Sequence, residues 1–166
     1  LVVAAGGVDA RQVRKQYRLH RFLTEVNCNI GTLSLYRLIP VLIPALFEPA
    51  YVIKLHAGRR SFSDWLIQRG VIKANYIFRD PRDALLSAYE FGKRIREAGS
   101  ENAFSHLDTL EDAVYFMEEY VRYSDEWLAN PDVLSTRYES LLADYDHEVG
   151  KLLGFLGNCL AELSAL

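Results

Sequence analysis

Hydrophobic and polar positions change period several times along the chain, and each change marks an element. Leu1–Ala5 reads as the end of an apolar helix stopped by Gly6-Gly7. Asp9 is an N-cap, predicting a helix that runs to about Leu23, and Asn27 to Thr32 reads as loop. The apolar stretch from Leu33 to Ile53 is punctuated by Pro40, Pro44 and Pro49, which predicts broken helix. Tyr51-Val52-Ile53 is a short β-rich run, expected as a buried strand ending at Lys54. Ser61 to Arg69 reads as a helix capped by Ser61 or Ser63 and stopped by Gly70. Asn75 to Phe78 predicts a second strand. Asp80 as N-cap with Pro81 at the first helical position then opens a helix to about Arg96.

Gly99 to Asp108 is a polar loop, and Thr109 with Asp112 forms a capping box for a helix to about Ala129. Leu110, Val114, Met117, Val121 and Leu128 recur at helical spacing, which predicts a core-facing stripe. Val133 to Arg137 predicts a third strand, and Ser140 to Leu156 a last helix stopped by Gly157. Strands alternating with helices through short connections imply an α/β fold, a parallel sheet flanked by helices, in one domain over residues 1–166. Ligands of such sheets bind beyond the carboxyl ends of the strands. That rule singles out Lys54-Leu55-His56, Arg79-Asp80-Pro81 and Tyr138-Glu139.

Composition narrows the classes. With 166 residues, half of them apolar, the chain can bury a core. A formal net charge of −3 gives no bulk attraction for nucleic acid. Charge is uneven, though: Arg11, Arg14, Lys15, Arg18 and Arg21 follow one another with no acid between Asp9 and Glu25. They form either a solvated face or an anion-attracting surface. Arg37, Glu48 and the prolines interrupt the longest apolar stretch, so no membrane span is expected. Cys28 and Cys159 lack metal or redox spacing and read as buried thiols. Asp146-His147-Glu148 reads as an exposed helix start rather than a metal site, since neighbours do not share a helical face. The chain opens in mid-stream and carries its single Met at 117, which sets the expectation of a domain incomplete at both ends. No signal-peptide pattern occurs, so the expected placement is cytoplasmic.

The strand ends carry the chemistry. Lys54 and His56 lie two apart and share a side of an extended chain. The lysine charge favours the neutral, base-competent imidazole. Arg79 either pairs with Asp80, Asp83 or Glu139, or offers a planar fork for phosphate oxygens, with Ser87 a further donor two turns into the next helix.

These residues resemble the sulfotransferases that use 3′-phosphoadenosine 5′-phosphosulfate (PAPS). Tyr76-Ile77-Phe78-Arg79-Asp80-Pro81-Arg82-Asp83, followed by Ser87 and Tyr89, is similar to that family's 3′-phosphate segment, with its Arg and its Ser eight positions later. Val52-Ile53-Lys54-Leu55-His56 resembles the Lys-Thr-His segment whose His is the catalytic base, with Leu55 in place of Thr. Arg137-Tyr138-Glu139-Ser140-Leu141-Leu142 resembles the Tyr-Glu-Asp-Leu segment, whose Tyr lies near the adenine. The phosphosulfate loop, a Lys-Ser-Gly-Thr-Thr-type turn, would precede Leu1, and an Arg-Lys-Gly-type segment would follow Leu166.

The resemblance implies a P-loop-like fold and a metal-free sulfuryl transfer from PAPS to a hydroxyl or amine. His56 and Lys54 would be catalytic, and Arg79, Ser87 and Tyr138 would bind the nucleotide. The apolar segment from Asn27 to Phe47 inclines the expected acceptor towards a small hydrophobic molecule. A P-loop kinase using ATP and Mg²⁺, and a non-catalytic binding protein of the same fold, are the rival readings. The oligomeric state stays open.

Overall fold

In the computed structural model, the backbone is described for residues 6–163 and side chains for residues 6–157. The stretch Leu1–Ala5 and the side chain of Cys159 lie outside these limits. The elements are α1 (Ala10–Gln16), α2 (Leu35–Leu42), α3 (Ser61–Gln68), β1 (Ala74–Phe78), α4 (Pro81–Glu97), α5 (Leu110–Leu128), β2 (Val133–Arg137), α6 (Tyr138–Ala143) and α7 (Tyr145–Leu163). β1 and β2 pair in parallel, from Ala74 opposite Val133 to Phe78 opposite Arg137. The architecture is thus mixed α/β, a parallel pair flanked by helices.

Local rules start several elements where the sequence places them. The Asp9 carboxylate accepts from Arg11 N–H at 2.8 Å and caps α1. The Asp80 carboxylate accepts from Arg82 N–H at 2.9 Å and caps α4, with Pro81 leading the helix. Thr109 and Asp112 satisfy each other's N–H groups at the start of α5. At α3 the N-cap is Arg60, not Ser61 or Ser63; the buried Ser63 Oγ instead accepts from Arg60 N–H at 3.0 Å. Gly70, at φ +71°, ends that helix with the left-handed residue that glycine accommodates.

Beyond the α3 cap, four expectations need correction. α1 stops at Gln16, and a separate 3₁₀ turn follows at Leu19–Arg21. Residues 51–53 form no strand. The segment is extended, but among the described residues its only ladder contact is a single parallel bridge between Lys54 and Asn29, with Ile30 N–H on Lys54 O at 3.0 Å and Lys54 N–H on Cys28 O at 3.2 Å. An apolar run becomes a strand only where a neighbour offers a full ladder. The predicted stripe on α5 is not in the core: Leu110, Val114, Val121 and Leu128 are exposed and Met117 is half-buried, Val114, Met117 and Val121 lining a shallow groove with Leu85 of α4, while Ala113 and Trp127 on other faces are buried. The last predicted helix is two, α6 and α7, separated at Asp144, and α7 runs through Gly157.

The core gathers Val13, Leu19, Leu23, Ile30, Leu38 and Val41 beneath the N-terminal elements and extends through Leu66 and Ile67 to Trp127 and Val133. Cys28 is buried within it, as expected, and burial pushes its thiol pKa up.

Candidate active site at the strand ends

The extended segment 51–56 alternates. Tyr51, Ile53 and Leu55 pack against the core, whereas Val52, Lys54 and His56 are exposed on the other side. Lys54 and His56 therefore share a side, as their spacing predicts. Partial desolvation holds the His56 pKa below its ordinary value, and the neighbouring Lys54 charge lowers it further. A neutral imidazole near pH 7 is able to accept a proton.

Arg79 and Tyr138 come from the ends of adjacent strands, and the Arg79 guanidinium stands 5.1 Å from the centre of the Tyr138 ring. This contact restrains the guanidinium while leaving its N–H edges available. Its nearest carboxylate is Asp83, at 3.9 Å and more than half exposed, a weak and readily exchanged pair. Ser87 is exposed on α4, one turn beyond Asp83 on the same helical face. Asp83 and Ser87 thus follow one another along α4, and Arg79, just before the helix, reaches Asp83.

Glu139 ties the two strand ends together. Its carboxylate accepts from Arg137 Nε at 3.0 Å and from Asp80 N–H at 3.3 Å. Backbone N–H groups, its own first, hold its pKa below the usual carboxylate range, with Arg137 adding to the effect. Arg82 likewise lowers the pKa of Asp80, through a 2.7 Å ion pair and its backbone N–H. Asp80 occupies the first free N–H of α4, and Arg82 and Arg137 are held by Asp80 and Glu139 at 2.7 and 3.0 Å, so Arg79, whose pair is the longest at 3.9 Å, is the least engaged of the three arginines at this corner.

A second support was not evident from the sequence. Immediately after His56, the Ala57 carbonyl accepts from Trp127 Nε1 at 3.1 Å. A side chain at Gly58 would place Cβ 2.7 Å from both Glu126 Oε2 and Tyr123 Cδ1. Arg59 donates to the Glu126 carbonyl and pairs with Asp64 at 2.8 Å. Trp127 also stacks on Tyr76 of β1, the ring planes 9° apart. The carboxyl end of α5 therefore fixes the segment that presents Lys54 and His56. Only the Trp, among its apolar neighbours, carried a polar signal: a buried indole N–H needs an acceptor.

A sequence profile of the sulfotransferase domain matches residues 52–164. The chain belongs to the sulfotransferase domain family. The match begins two residues before Lys54 and includes Arg79, Ser87 and Tyr138, while α1 and α2 precede it. The parallel pair flanked by helices fits the P-loop-like fold of a sulfotransferase domain. No curated protein and no solved structure matches the chain. Within this sulfotransferase domain, the triplet at the start of α7 is exposed at Asp146 and His147 but not, as expected, at Glu148, which is buried and pairs with Lys151 at 2.9 Å. No helix among the described residues is long and apolar enough to cross a membrane.

Proposed function

We propose that this domain transfers a sulfuryl group from PAPS to a hydroxyl or amine of a small hydrophobic acceptor. The observation that carries the reading is the Arg79–Tyr138 pair, which presents a guanidinium beside an aromatic face at the ends of two parallel strands. A nucleotide with a 3′-phosphate needs both features: a bidentate donor for the phosphate and a ring beside the base. Ser87 supplies a neutral donor further along α4. PAPS, when bound, supplies the activated sulfuryl group, and its P–O–S linkage breaks with the electron pair leaving on the phosphate oxygen.

His56 takes the proton from the acceptor hydroxyl or amine as that atom attacks sulfur, and its lowered pKa keeps the imidazole unprotonated for this step. Lys54, on the same side, stabilises negative charge on the transferring group. Glu139 and Trp127 are positioning residues; they hold the strand ends and the His56 segment.

Ligand-dependent melting tests the reading. Adenosine 3′,5′-bisphosphate at about 100-fold its Kd should raise the midpoint by roughly 5–10 °C. A larger shift with ATP and Mg²⁺ than with the bisphosphate would overturn the proposal in favour of phosphoryl transfer.

A further inference from the structure

Residues 10–47 hold six Arg or Lys and one acid, Glu25, in a chain whose formal net charge is −3. Two of these cations are tied to backbone carbonyls: the half-buried Arg14 donates through Nε to Leu23 O at 2.9 Å, and the exposed Arg11 to Val26 O at 3.2 Å. Lys15, Arg18 and Arg21 are exposed, and none of the ion pairs among the described residues involves them.

Beside this basic strip lies an apolar face. Helix α2 buries Leu38 and Val41 on one side and exposes Leu35, Ile39 and then Ile43 on the other, at successive four-residue steps. The chain beyond it adds Leu46 and Phe47, 78% and 73% exposed. A helix apolar on both sides calls for a second apolar environment.

The two features are joined at both ends. The Phe22 ring, next to Arg21, meets Tyr36 of α2 at 5.5 Å, and Arg37 donates to Ile30 O at 3.0 Å. At the other end, Gln16 and Tyr17 donate to Glu48 Oε1 at 2.8 and 2.9 Å. The carboxylate bordering the apolar face is thereby engaged by neutral donors.

We propose that this surface docks on an anionic phospholipid bilayer, with Leu46, Phe47 and the outer side of α2 entering the interface while Lys15, Arg18 and Arg21 meet the headgroups. Peripheral membrane binding needs this combination, apolar insertion and a flanking basic cluster. Charge favours a bilayer over a second copy of the chain, because a symmetric dimer through this face would bring the two basic strips together. The inference does not depend on the proposed reaction.

Co-sedimentation of the whole chain with vesicles tests it. Binding is expected to vesicles of phosphatidylcholine containing about one-third phosphatidylserine, little to phosphatidylcholine alone, and less as salt rises from about 0.1 to 0.5 M. Each basic side chain near such a surface is worth about five-fold, so Lys15→Ala with Arg18→Ala and Arg21→Ala should weaken binding by about 10²-fold. Leu46→Ser with Phe47→Ser should abolish it with every cation still present. A single Phe47→Trp substitution supplies a fold-neutral readout, its emission shifting to the blue only with anionic vesicles. Absence of that shift, equal binding to neutral and anionic vesicles, or concentration-dependent dimerisation without vesicle binding would each overturn the proposal.

Discussion

Replacing Gly58 by alanine tests how the His56 segment is held. The new methyl would lie 2.7 Å from Tyr123 Cδ1 and from Glu126 Oε2, and 2.8 Å from Tyr123 Cε1. Ordinary carbon contacts need about 3.5 Å, so something must move by roughly 0.8 Å. The exposed Glu126 carboxylate can swing away at little cost. The Tyr123 ring is less free: it packs edge-on against Tyr120, 6.2 Å away, and its hydroxyl donates to Glu119. Overpacking of this kind costs about 1–3 kcal/mol, which for a domain of this size lowers the melting midpoint by about 2–10 °C.

The same substitution at Gly154 on α7, where a Cβ meets no atom within 4 Å, supplies the contrast. There alanine should stabilise by up to about 1 kcal/mol, through helix propensity. Scanning calorimetry of both variants compares the signs directly. If Gly58→Ala melts within a degree of the parent, or above it as Gly154→Ala should, the close approach of α5 to the segment is not what fixes it.

Trp127→Phe keeps most of the ring but removes the donor to the Ala57 carbonyl; urea unfolding should show a loss of about 1–3 kcal/mol, and an unchanged midpoint would show that water replaces the bond. The His56 pKa lies below its ordinary value, so the folded chain binds fewer protons than the unfolded chain from about pH 6.5 downward. Its contribution to stability is present above that pH and lost as pH falls through the folded pKa. The midpoint difference between the parent and His56→Asn should therefore shift against the parent on acidification. Parallel pH profiles for the two would rule out a perturbed His56.

What was legible in the sequence follows the range of the forces involved. The caps at Asp9, Asp80 and Thr109 depend on side chains two or three residues from the N–H groups they satisfy, so local reading placed those helix starts. The pairing of Arg79 with Tyr138 was implicit in two parallel strands ending side by side. By contrast, α5 was visible as a helix but its buried face was not. Periodicity reveals that a stripe exists, whereas the packing partner decides which stripe is covered, and here Ala113 and Trp127 are taken in place of Leu110 and Val114. The apolar run at 51–53 satisfied every local criterion for a strand, yet its extended backbone found one bridge, to Asn29. The contact from Trp127 to Ala57 spans 70 positions and left only a lone indole as its sign.

Titration of two nucleotides against the parent chain and Arg79→Ala tests the central claim most directly. On the proposed reading, the guanidinium held beside Tyr138 binds a 3′-phosphate and must therefore distinguish adenosine 3′,5′-bisphosphate from adenosine 5′-monophosphate. Charge-assisted bonds contribute about 1.5–3 kcal/mol each, so Arg79 and Ser87 together should give about 10²–10⁴-fold preference for the bisphosphate. Arg79→Ala should erase most of that preference and leave the monophosphate nearly unchanged, and Ser87→Ala should erase a smaller part. Equal affinity of the parent chain for the two nucleotides would contradict the account.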